Sequence, residues 1–463
     1  MKRAKLLIIP LILSSSLQAK LENITLDDAK EILRSQNLEI KTSQIDIDTA
    51  LQDTKTATAK HFGKLDFVQD FARSNDAGNV FGFKLSSREA NFGDFGADEF
   101  MNNMGACQGG DMGACADLYT KAPDNLNYPG YRNYFQSKLQ YEIPLFTGFM
   151  ISSYEGVLRG VAKIRSLESS KVQSQKLYEL KKSFYDMKLL KESQKNLNII
   201  YSNIKTLENM TSEMINEGYA KRVDLLEVKA KKGNVKRLLD QMDLNEKLLY
   251  QYLSFLLNEE VASIKLPAEN AKIPTATTSD ALQNSLDIQM IDEAVALNRQ
   301  LIDASKASYY PMVGAFAQIS SADEKFLKNL DDHKSYTIGA RASWNLFNGG
   351  ADSAAVQKAK LELLKRKTEA DLARSGIELQ FSKITTEIES YNKEIASLKE
   401  ELALADEIYE NYETRYKEKL VSMSDVIIKQ SEQIQKILQL QQRTNERNER
   451  VFALEQLLNG DRQ

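Results

Sequence analysis

From Met312 to the C-terminus the chain contains no proline, and over Ala351–Lys417 its apolar residues keep coiled-coil spacing. Ile377, Phe381, Ile384, Ile388, Tyr391, Ile395, Leu398, Leu402, Ala405, Tyr409, Tyr412 and Tyr416 follow one another in steps of four and three. A seven-residue repeat keeps one seam turned toward partner helices and makes them supercoil left-handedly. At 1.5 Å per residue such a helix is roughly 100 Å long. The pattern breaks at Glu418–Ser424 and resumes at Asp425. This predicts a long helix, a tight reversal and a helix running back.

The same object occurs earlier in the chain. Leu145-Phe146-Thr147-Gly148 matches Leu346-Phe347-Asn348-Gly349, Asp224-Leu225-Leu226 matches Asp425-Val426-Ile427, and Leu257-Asn258 matches Leu458-Asn459, all at one offset. Self-similarity on this scale marks a duplicated structural unit. The boundaries read as a first repeat over 20–266, a proline- and threonine-bearing linker over 267–278, and a second repeat over 279–463.

The first nineteen residues read as a secretory signal peptide. Lys2, Arg3 and Lys5 precede a short apolar run, and Ala19 offers a cleavage site. After Ala19 no stretch approaches the 18–20 apolar residues of a spanning helix. Net charge is −4, which argues against nucleic acid as a partner. The two histidines, His61 and His333, lie far apart and argue against a histidine-based metal site or general base. No phosphate-binding glycine loop, nucleophile elbow or zinc spacing is present, so no enzyme, metal or cofactor is expected.

Each repeat reads helix, strand, loop, strand, long helix, turn, helix. The opening helices are expected from Thr25 to about Lys60, and from Ser279-Asp280-Ala281 to about Tyr309. Leu65, Phe67 and Phe71 share one parity, as do Tyr131, Phe135, Leu139, Tyr141, Ile143 and Leu145. Tyr336, Ile338, Ala340, Ala342, Trp344 and Leu346 form another such run, and Pro311–Ser320 a weaker one. An aromatic-rich face opposite a charged one suits a transmembrane β-strand. An ordinary half-buried strand shows the same alternation; the signal peptide and the aromatics favour the membrane. Between the first two strands, 75–130 reads as an irregular loop holding the only two cysteines, Cys107 and Cys115. In an exported chain a disulfide is the natural reading, with free thiols or a metal site as alternatives.

Four strands cannot close a barrel, and an open edge is not tolerated in lipid, so spanning strands require an oligomer. The amphipathic helices, rich in Lys and Glu, belong in water. The fold class is therefore mainly α with a transmembrane β-barrel, built from duplicated coiled-coil hairpins and four strands per chain. A structural coiled-coil scaffold without a pore is the rival reading. The duplicated strand pairs speak against it.

In the order of these elements the chain resembles the TolC family of outer-membrane efflux ducts. The signal peptide, the duplication, the Leu-Phe-x-Gly junctions and the reversals before Asp224 and Asp425 carry the likeness. It implies a homotrimeric α-barrel/β-barrel duct in outer-membrane lipid, with its helices in the periplasm. It also implies a periplasmic adaptor and an inner-membrane transporter as partners. The exit duct of a type I protein secretion system shares the fold and is the alternative within transport. By the same resemblance Asp224, Glu227, Tyr416 and Asp425 belong to a periplasmic gate. Gly218, Tyr219, Lys221, Lys419, Leu420 and Val421 belong to adaptor-docking turns. The sequence departs from the family pattern at Ile428, where a second acidic ring is expected, at Val421, where an arginine is expected, and at Lys419, opposite Gly218. Asp224 and Asp425 also read as N-caps of the returning helices.

Overall fold

Two helical hairpins of matched length dominate the computed structural model, which describes residues 20–459. The expected signal peptide, 1–19, lies outside the described residues. Helices α7 (Met150–Asn216) and α11 (Ala351–Lys417) are each 67 residues long. Their returning partners α8 (Arg222–Leu257) and α12 (Met423–Leu457) have 36 and 35 residues. The heptad positions of α11 become its packed seam, with Ile377, Phe381, Ile384, Ile388, Leu398, Tyr409 and Tyr416 buried. One buried cluster joins Phe184 and Met187 of α7, Leu253 and Leu256 of α8, Ile384 and Ile388 of α11, and Val451 and Phe452 of α12. A second joins Leu207, Val228, Tyr409, Met423 and Val426. Each such side chain contributes about 1.5–3 kcal/mol on burial.

The chain divides into two compact units, and both repeats contribute to each. One contains the described part of 1–50 together with 161–295 and 365–459; the other contains 51–160 and 296–364. In the first unit the linker is tied down. Tyr185 and Lys188 of α7 donate to the carbonyls of Glu269 and Ala268, and the Ala271 amide donates to Asn448 of α12.

The opening helix of each repeat, expected to be continuous, is broken. Helices α1 (Leu26–Gln36) and α2 (Leu38–Ala59) meet at Asn37, whose backbone is extended. Its side chain accepts from the Ile40 amide at 3.0 Å and donates to the Leu256 carbonyl at 2.8 Å. Asn37 thus ends one helix, caps the next and anchors both to α8. Ser285 separates α9 (Thr278–Asn284) from α10 (Leu286–Lys306) in the same way. The second copy also starts earlier than expected. Thr277 is its cap, in a capping box with Asp280 that repeats Thr25 with Asp28.

In the second unit, β1 (Lys64–Ser74), β2 (Arg132–Phe146), β3 (Met312–Asp323) and β4 (Lys334–Ser343) form an antiparallel meander in chain order. The weak strand is longer than expected, and Trp344 and Leu346 lie past the end of β4. Register aligns Phe67, Leu139, Ile319 and Tyr336 in one row across all four strands, and Leu65, Tyr141, Ala317 and Ile338 in another. The alternate face carries the row Asp66, Gln140, Gln318 and Thr337. Gly148, after β2, has φ +63°, and a Cβ there would lie 2.5 Å from the Ala307 carbonyl oxygen. The Leu-Phe-x-Gly junction thus needs its glycine in the first repeat. No helix among the described residues is long and apolar enough to cross a membrane.

The segment between β1 and β2 is not irregular. It folds into α3 (Ala77–Ser86), α4 (Ala97–Gln108), α5 (Met112–Asp117) and α6 (Asp124–Asn127). Asp76 caps α3 and Asp111 caps α5, so the polar residues that read as loop are helix starts. Cys107 and Cys115 are joined in a disulfide between α4 and α5.

Candidate functional site

The two hairpin reversals are exposed and cap one buried cluster in the first unit. At the end of α7 the amide of Tyr219 returns to the Met214 carbonyl at 2.7 Å, with Gly218 at φ +82°. At the end of α11 the amide of Leu420 returns to the Arg415 carbonyl at 2.9 Å, with Lys419 at φ +65°. Both are Schellman-type ends, which require a left-handed residue.

Asp224 and Asp425 are not N-caps. Each is the third residue of its returning helix and reaches back to the amide three residues earlier, Lys221 at 2.8 Å and Ser422 at 3.1 Å. The cap position before α12 is Ser422, whose hydroxyl and amide both bind the Asp425 carboxylate. The Ser422 hydroxyl bond, then the backbone bond, hold Asp425 below the ordinary aspartate range.

Three contacts tie one reversal to the other. The Lys419 ammonium sits 3.3 Å from the centre of the Tyr219 ring. Ser424 donates to Glu227 at 2.5 Å. Tyr416, buried, has its hydroxyl 3.4 Å from that of Thr211. Burial first, and then the charge of Asp224, push the Tyr416 hydroxyl above its ordinary value, against the Thr211 hydrogen bond. Asp224 and Tyr416 are therefore close enough to interact electrostatically, but the tyrosine's hydrogen bond goes to Thr211. Beneath this layer Gln430, fully buried, donates to Tyr409 at 3.2 Å, and burial pushes Tyr409 up to about 12. Lys231, half-buried against Ser431, is pushed down by desolvation.

The structure thus gathers Tyr219, Glu227, Tyr416 and Lys419 into direct contacts across the two turns. Leu420 and Lys221 stay exposed, and Val421 packs against the buried cluster. Sequence reading missed Thr211, Ser422 and Ser424. Only Ser422 had a signal, the Ser-x-x-Asp spacing of a capping box.

Residues 277–460 match the profile of the outer membrane efflux protein family. That match spans the second repeat and the end of the linker. The whole fold agrees with that of solved outer-membrane channels. CusC, in a study of transmembrane channel formation, is 12% identical, with 96% of this chain and 95% of that chain covered and a TM-score of 0.77. VceC from Vibrio cholerae is 13% identical, with 94% and 96% covered and a TM-score of 0.75. The CmeC outer membrane channel of Campylobacter jejuni is 14% identical, with 96% and 90% covered and a TM-score of 0.74. No curated protein matches the chain. The family match is confined to 277–460, while the agreement in fold with the solved channels extends over nearly the whole chain.

Proposed function

We propose that three copies of this chain close a twelve-stranded barrel in the outer membrane. Their helices form a periplasmic tube that passes small molecules from an adaptor and an inner-membrane pump to the exterior. The observation that carries this reading is the sheet. The residues of its outer row, Phe67, Leu139, Ile319 and Tyr336, are 67%, 43%, 58% and 78% exposed in one chain. Among the described residues, β1 and β4 pair on one side only. An apolar aromatic face suits lipid, and unpaired edges in lipid demand neighbouring strands. The helices repeat the argument. Leu244, Leu248, Tyr252 and Phe255 of α8, and Leu372 and Leu379 of α11, form apolar stripes exposed in one chain. A second copy would cover them.

In this reading Asp224, Glu227, Tyr416 and Asp425 form the periplasmic gate. Asp425, exposed and held ionised by Ser422, is the group available to a cation-selective ring. Gly218, Tyr219, Lys221, Lys419 and Leu420 form the docking turns, while Val421 anchors its turn from within. The deciding experiment is outer-membrane fractionation followed by native mass in detergent. A species of three chains in the outer-membrane fraction is expected. A water-soluble dimer or filament would return the chain to the scaffold reading.

A further inference from the structure

Three polar side chains from distant parts of the sequence converge at the loop end of the sheet, where neither the gate nor the lipid face explains them. Asp323 ends β3, His333 precedes β4, and Glu89 follows α3 in the segment between β1 and β2. One donor atom from each lies within 4.8 Å of the others. Asp323 is 4% exposed and His333 is 9% exposed. The His333 Nδ1 is 3.1 Å from the Asp323 Oδ2, yet neither atom has a hydrogen-bond partner. Two buried polar atoms so close, and misaligned for a bond with each other, are costly unless a third group lies between them.

The surroundings hold these donors in place. Asp323 Oδ1 accepts from the Lys325 amide at 3.2 Å, which leaves Oδ2 as the free oxygen. Glu89 is presented by a tight helix end, with Arg88 at φ +56° and the Glu89 amide returning to the Lys84 carbonyl at 2.9 Å. Its Oε2 is taken by Ser87 and Arg132, so Oε1 is the oxygen left to turn inward. Arg132 also lies 3.7 Å from Glu324. Glu89 and Glu324 thus share one guanidinium, and Asp323 faces His333, so with a neutral imidazole the carboxylates outnumber the fixed cation they contact and a divalent cation would balance them.

We propose that Glu89, Asp323 and His333 bind one divalent transition-metal cation of the zinc class. Two ligands about 2.1 Å from a tetrahedral zinc lie roughly 3.4 Å apart, close to the His333–Asp323 separation. An imidazole donor disfavours calcium and magnesium, which take oxygen ligands. The arrangement requires His333 to carry its proton on Nε2. With three protein ligands the fourth position is left for water, and the ion clamps the β1–β2 insertion to the β3–β4 loop. The separation of the two histidines in sequence, which spoke against a metal, is not the relevant distance, because the co-ligands are carboxylates.

The test is calorimetric titration of the purified full-length protein with Zn²⁺ alone. One site per chain is expected. Asp323→Asn, His333→Ala and Glu89→Gln should each weaken it by about tenfold or more, since even outer-shell changes cost that much. Absent Zn²⁺ binding, or binding indifferent to all three substitutions, overturns the proposal. Zinc-edge X-ray absorption of the unaltered protein avoids any folding defect in the variants. A nitrogen/oxygen shell with a single imidazole supports the site, whereas a sulfur-containing or multi-histidine shell overturns it.

Discussion

At one hairpin end the chain turns on Gly218, with open space around its Cα; at the other it turns on Lys419. The hydrogen bonds are equivalent, so the geometry of the reversal is shared while its local cost is not. A non-glycine residue in the left-handed region carries roughly 1–2 kcal/mol of strain. The second turn has compensations that the first lacks. The Lys419 ammonium rests on the Tyr219 ring, and Ser422 supplies a true cap where the first turn has Lys221, whose side chain cannot accept a hydrogen bond. The first turn depends on glycine's freedom. The second depends on side chains, and one of them leans on the first turn.

The largest effect should come from imposing a branched side chain on both turns. Gly218→Val meets no neighbour, so its cost is purely conformational, about 2 kcal/mol. Lys419→Val begins from a residue already strained and should cost less than about 1 kcal/mol, chiefly the lost cation–π contact. Hydrogen exchange of the turn amides reads both as local opening free energies. Equal losses at the two turns would break the comparison.

Next in size is the cap. Ser422→Ala should open the first turn of α12 by about 1 kcal/mol. Lys221→Ala should leave α8 nearly unchanged, because the bond there comes from the Lys221 backbone to Asp224. If Lys221→Ala proves as costly as Ser422→Ala, the first turn has a side-chain cap after all.

The contrast also explains what the sequence could show. The seven-residue repeat of α11 was legible to its ends because every heptad position reports the same seam. The β3 strand was legible only weakly, since Gly314, Ala315 and Ala317 blur the alternation that its neighbours supply through register. The helical breaks at Asn37 and Ser285 carried no proline or glycine; their cause is a side chain bonding to its own backbone three residues on, and for Asn37 also to α8. The insertion misled because Asp76, Asn91 and Asp111 are both loop formers and helix caps, and only the fold chooses between those roles. The convergence of Glu89 on Asp323 and His333 depends on sheet order and an inserted segment, which no local spacing encodes.

The smallest expected effect joins the cap to the proposed gate. Asp425 has its folded pKa depressed by Ser422 below the ordinary value of 3.8. A depressed carboxylate pKa means that the capping contribution is fully present above 3.8 and is lost as pH falls through the lower folded value. The same ionisation sets the charge that Asp425 would present to a permeating ion. In planar bilayers the cation preference of the proposed trimer should therefore survive acidification to below pH 3.8 before it fades. Ser422→Ala removes the leading cause of the depression and should move that fading upward, toward 3.8. Asp425→Asn should lower the preference at every pH and abolish this transition. A selectivity profile that ignores both substitutions would leave Asp425 as a helix-start residue alone, and the difference between the two turns would then concern stability and not conduction.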